Sequence, residues 1–94
     1  MDKQIVTAAH KLSTRQRRRY QSNTPAGCFH CEAVFLAKEI EEWCNEVEER
    51  EVTALCPSCA IDAVISIQDV VELGVSAEQF PVLLHAMRRR WFGD

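Results

Sequence analysis

The sequence predicts a small α+β domain organised around a metal centre, and three observations carry that prediction. Two Cys-x-x-Cys pairs, Cys28/Cys31 and Cys56/Cys59, stand 24 residues apart. Short runs rich in β-branched residues lie beside the second pair. Patterned helical segments lie towards both ends of the chain. The 94 residues are 47% hydrophobic and 27% charged, which excludes a disordered tail, a collagen-like fibre and a coiled-coil rod. So short a chain has a thin core, and a metal staple offsets that weakness.

Residues 1–24 read as a basic helical segment, and residues 25–94 as the metal-binding domain with a C-terminal amphipathic helix. Ile5, Val6, Ala9 and Leu12 recur at helical spacing, predicting a helix over 3–12. Ser13 with Gln16 has the form of a capping box, predicting a further helical stretch through the arginines to about Tyr20. Residues 22–27 read as a turn-rich linker. Residues 33–35 predict a strand. Residues 38–45 predict a helix with Ile40 and Trp43 on one side, followed by a polar connection over 48–51 and a strand over 52–55. The Ile- and Val-rich run 61–73 has a period that fits either a helix or a buried strand, and a helix to about Ile65 is the expectation. Gly74 is a stop signal. Ser76 with Gln79 forms a second capping box, after which Phe80, Leu83, Leu84, Met87 and Trp91 fall on one helical face. Pro81 marks where that helix begins or bends.

The cysteines carry the chemistry. A Cys-x-x-Cys turn aims two sulfurs at one point, and two such turns make a tetrahedron of thiolates, the geometry of structural zinc. The predicted ligands are Cys28, Cys31, Cys56 and Cys59, with Pro57 stiffening the second turn. A thioredoxin-like dithiol needs one pair in an α/β pattern, and this chain has two pairs without that pattern. Four protein thiolates leave no position for water, so the site reads as structural rather than catalytic. Cys44 reads as a buried free cysteine, and His30 as a solvated imidazole between two ligands.

These residues also form a wider pattern. Gly27-Cys28-Phe29-His30-Cys31, then Phe35, Glu39-Ile40 and Trp43, then Thr53-Ala54-Leu55-Cys56-Pro57-Ser58-Cys59 and Ile61-Asp62-Ala63-Val64-Ile65 resemble a family of small bacterial proteins described only as cytoplasmic. Ala9-His10-Lys11, Ser13 and the closing Trp91-Phe92 are similar as well. The resemblance implies a treble-clef-like or zinc-ribbon-like core with helical flanks, and no settled activity. Ala60 departs from the family, which commonly has Gly there, and residues 66–77 are longer than the family's loop.

Charge narrows the function. The net charge of −3 hides a basic start, a basic end, and a middle stretch over 28–87 with twelve acids against two basic residues. That middle repels phosphate and suits a basic protein partner through steering and complementarity. The leading expectation is therefore a non-catalytic module that binds a protein, in its most specific form a toxin-neutralising immunity or regulatory protein. Its partner-facing candidates are Glu39, Glu42, Glu46, Glu48 and Glu49. The alternative is nucleic-acid binding through Arg15, Arg17, Arg18 and Arg19 beside Tyr20, aided by a helix-turn-helix-like stretch over 70–76. Pro81 and the late position of Arg88 to Arg90 speak against base reading by the last helix. His10, His30 and His85 are scattered, and no nucleophile–base pair stands out. No segment has the length of a membrane span, and the first residues lack a secretory signal's apolar run, so a cytoplasmic location is expected.

Overall fold

Antiparallel pairing around one short central strand sets the architecture. The computed structural model describes residues 1–44 and 52–93. Strand β1 (Pro25–Cys28) lies between β2 (Val34–Leu36) and β5 (Val64–Ser66), pairing Ala26 with Phe35 on one side and Cys28 with Val64 on the other. A second sheet joins β3 (Trp43–Cys44) to β4 (Thr53–Ala54). Helix α1 (Lys3–Lys11) precedes the sheets, and α2 (Ile67–Val71) and α3 (Phe80–Trp91) follow them.

Helix α1 forms where the spacing placed it. The Asp2 carboxylate caps it by accepting the Gln4 N–H at 2.7 Å. Val6 and Ala9 are buried. The helix does not resume at Ser13. The Ser13 hydroxyl instead donates to the His10 carbonyl, tying it back to the end of α1. Arg15 adopts a left-handed φ of 53°, and only a single 3₁₀ turn follows, over Arg17–Arg19.

Gln16 turns inward instead and is fully buried. Its amide donates to the Val64 carbonyl at 3.0 Å and accepts from the Ala54 N–H at 3.4 Å. One side chain thus joins β5 of the first sheet to β4 of the second. The neighbouring Arg15 N–H reaches the Thr53 hydroxyl, and the Arg17 N–H reaches the Val52 carbonyl. Residues 15–17 therefore finish the hydrogen-bonding edge of β4.

Three further expectations are corrected. The linker over 22–27 ends in the buried central strand. Pro25 takes the strand's first position, where its missing N–H is tolerated. The helix over 38–45 is absent. A 3₁₀ turn at Ala37–Glu39 closes when the Glu39 carboxylate accepts the Leu36 N–H at 2.7 Å, and Ile40 leaves it in extended conformation. The chain then pairs as β3 with β4, a partner remote in sequence; Asn45 lies outside the described residues. The helix to Ile65 is also absent, because Val64, Ile65 and Ser66 form β5. All three are buried, so both faces are covered and no alternation survives in the sequence.

Helix α3 agrees with its pattern. Ser76 and Gln79 make the reciprocal capping box, and Pro81 sits in the first turn, where it breaks no helical bond. Phe80, Leu83, Leu84 and Met87 are buried, while Trp91 is half-buried. The helix lies so close to β1 that a Cβ on Gly27 would come within 2.8 Å of both Leu84 Cδ1 and Phe80 Cε2. Val6 and Ala9 of α1 join Phe29, Ile65, Val70 and this helix face in one core.

Gly27→Ala should lower stability by roughly 1–3 kcal/mol through overpacking, and Leu84→Ala by about 2–5 kcal/mol through the cavity it leaves. Urea unfolding of the metal-loaded protein measures both. A loss under about 0.5 kcal/mol for Gly27→Ala would show that α3 does not press on β1.

Candidate metal centre

The two Cys-x-x-Cys segments fold as the same turn made twice. In the first, the Cys28 N–H pairs with the Ala33 carbonyl at 2.9 Å and the Glu32 N–H with the Cys28 carbonyl at 2.7 Å. In the second, Cys56 pairs with Ile61 at 3.0 Å and Ala60 with Cys56 at 2.8 Å. The His30 and Ser58 N–H groups each donate to the first sulfur of their turn at 3.3 Å. The residue after each second cysteine, Glu32 or Ala60, takes a left-handed φ of 65° or 66°. Ala60 therefore occupies a conformation that Gly would adopt without penalty.

The first turn leaves β1 and returns as β2. The second leaves β4 and leads to β5. A Phe29 N–H to Ala63 carbonyl bond of 2.9 Å continues the β1–β5 ladder past Cys28 and joins the two turns. All four sulfurs lie within 4.8 Å of one another, with Cys28–Cys59 and Cys31–Cys56 each at 3.7 Å. A tetrahedron with metal–sulfur bonds of about 2.3 Å has edges of ~3.8 Å, so the observed separations fit a bound ion. They are far too long for disulfides. Burial pushes the Cys28 and Cys59 thiols up from their ordinary range. Thiolates there need a cation to offset their lost hydration. The four cysteines can hold a metal ion, and all four of its ligands then come from the protein.

Cys44 is half-buried in β3 and stands outside this cluster; burial, with Asp62 nearby, raises its thiol's pKa. The solvated reading of His30 is corrected. Its ring is half-buried and meets Phe92 edge-on at 4.6 Å. The C-terminal end of α3 serves the first turn in two further ways. The Arg88 guanidinium donates to the His30 carbonyl, and His85 Nδ1 lies 3.2 Å from the Glu32 carboxylate. Sequence reasoning missed these partners, since Arg88 lies 58 residues from His30 and no local pattern marks it.

The charged candidates divide. Glu39 closes the 3₁₀ turn. Glu42 is exposed beside Glu41 at a shallow notch that also involves Leu55, Pro57 and Ala60 of the second turn. Glu46, Glu48 and Glu49 lie outside the described residues. Arg15 and Arg18 are exposed. Arg17 stacks over Trp43 at 5.1 Å. Arg19 pairs with Asp69 at 3.0 Å and donates to the Leu12 and Arg15 carbonyls. Compared with known protein families, curated proteins and solved structures, the chain matches none. Among the described residues, no helix is long and apolar enough to cross a membrane.

Cys56→Ser should abolish stoichiometric metal binding and loosen the centre of the fold, whereas Cys44→Ser should leave metal content unchanged by elemental analysis. Ala60→Gly should raise stability by roughly 0.5–1 kcal/mol in urea unfolding, by relieving the left-handed turn. Destabilisation by Ala60→Gly would refute that conformation.

Proposed function

We propose that this chain is a non-catalytic, zinc-stabilised module whose acidic surface binds a basic protein partner. The saturated thiolate site carries the reading. Four sulfur ligands leave no coordination position at which water or substrate would be activated, and a tetrahedral all-sulfur set without redox demand suits zinc. The paired turns at strand ends favour a ribbon-like arrangement over a treble clef, in which the second pair would open a helix. The motif resemblance to small bacterial cytoplasmic proteins supports a reduced intracellular setting, where thiolates persist. A toxin-neutralising or regulatory role is the most specific form of this proposal.

The charge distribution favours protein over nucleic acid. Four thiolates around one zinc add two negative charges, bringing the net to about −5. Glu41 and Glu42 lie on the second turn's open side. Two of the four arginines that would face phosphate, Arg17 and Arg19, are engaged with Trp43 and Asp69.

Gel-shift titration with mixed-sequence DNA and RNA at physiological salt should show no complex. A protein captured from the host should be basic. Glu41→Lys with Glu42→Lys should slow its association and flatten the salt dependence, as rim charges do. Tight nucleic-acid binding lost in an Arg15→Gln, Arg18→Gln variant would overturn the proposal.

A further inference from the structure

The two metal-binding turns are alike in backbone but unlike in support. Arg88 donates to the His30 carbonyl, and that oxygen belongs to the peptide unit linking His30 to Cys31. The His30 N–H, one peptide unit earlier in the same turn, donates to Cys28 Sγ at 3.3 Å. A cation thus anchors the carbonyl of the residue whose N–H reaches the buried sulfur. A charged donor makes the stronger hydrogen bond, so the His30 backbone is held firmly against the sulfur. In the second turn, the Ser58 N–H makes the matching bond to Cys56 Sγ.

We propose that Arg88 is a positioning residue for the metal centre, fixing the His30 backbone so that its N–H stays on the Cys28 thiolate and the first turn retains the metal. The inference rests on reading the four cysteines as a metal site. Arg88 does not touch the ion. It holds the His30 carbonyl towards α3, which sets the backbone between the two cysteines of the turn. The surroundings hold the arginine's own helix against the turn. His85, one turn earlier on α3, meets the Glu32 carboxylate at 3.2 and 3.4 Å, and Phe92 packs on Phe29 and His30 with ring centroids 5.8 and 4.6 Å away. The last turns of α3 are therefore part of the metal site's framework, although Arg88 lies 58 residues from His30 in sequence.

The test uses the full chain loaded with zinc and a chromogenic chelator in excess. Outer hydrogen-bonding partners of metal ligands are typically worth 10–100-fold in metal affinity. Arg88→Gln should release zinc at least tenfold faster than the parent, and Arg88→Lys, which keeps the charge, should recover part of that loss. Arg90→Gln, which removes a charge from the same helix where it stacks on Trp91, serves as the control and should leave release within about threefold. An ¹⁵N-resolved spectrum supplies the local readout. The Cys31 amide proton should move upfield in both Arg88 variants, while the Ser58 amide in the second turn stays in place. Unchanged release with an unmoved Cys31 amide would overturn the inference, and so would equal acceleration by Arg90→Gln. Should Arg88→Gln not fold, the Cys31 shift in Arg88→Lys decides alone. Failure of the parent chain to bind zinc would instead defeat the metal reading itself.

Discussion

Four thiolates cannot share one small volume unless a cation lies among them. Their mutual repulsion and lost hydration oppose the arrangement, and two of these sulfurs, on Cys28 and Cys56, are buried. The rest of the structure is arranged to bring them together. Antiparallel pairing sets Cys28 opposite Val64, which places the exit of the first turn beside the return from the second. The strands concerned are two to four residues long, too short to be stable alone. An ion held by the four sulfurs would close what they begin, and in sites of this kind binding energy is largely folding energy.

The apolar core, which includes Cys28 and Cys56, packs against the same strands. Helix α3 lies directly on Gly27, the one residue of β1 without a side chain to resist it. The helix brings its apolar face to the core and its last turns to the first metal-binding turn. Gln16 plays the corresponding part between the sheets, satisfying an Ala54 N–H and a Val64 carbonyl that the strands leave over. A buried amide so placed is costly to remove, because each partner would be left without a hydrogen bond. Metal, helix and glutamine thus act on the same few strand residues. Damage to any of them should spread through the centre.

The sequence showed those features that depend on residues close together in the chain. The cysteine spacing gave the cluster of four sulfurs. The Ser76–Gln79 box and the Phe80–Met87 stripe gave α3 and its start. Features that depend on remote partners were hidden. Residues 38–44 carry helical spacing in Ile40 and Trp43, yet pairing with Thr53 and Ala54 prevails. Val64 and Ile65 are buried on both faces, so they show no alternation. Pro25-Ala26-Gly27 has the composition of a linker, but small residues are what a strand needs when a helix presses on it. Arg88 stood out only as one of three arginines at a chain end, and the carbonyl it holds belongs to another part of the sequence.

The central claim is that one ion, held by Cys28, Cys31, Cys56 and Cys59, completes the fold. Cobalt(II) titration of the metal-free chain tests this most directly, with visible absorption and near-ultraviolet circular dichroism followed together. The account predicts the intense bands of a tetrahedral tetrathiolate centre, saturating at one equivalent, with the aromatic signal rising in step. A native aromatic signal already complete before cobalt is added would contradict it, as would saturation at half an equivalent.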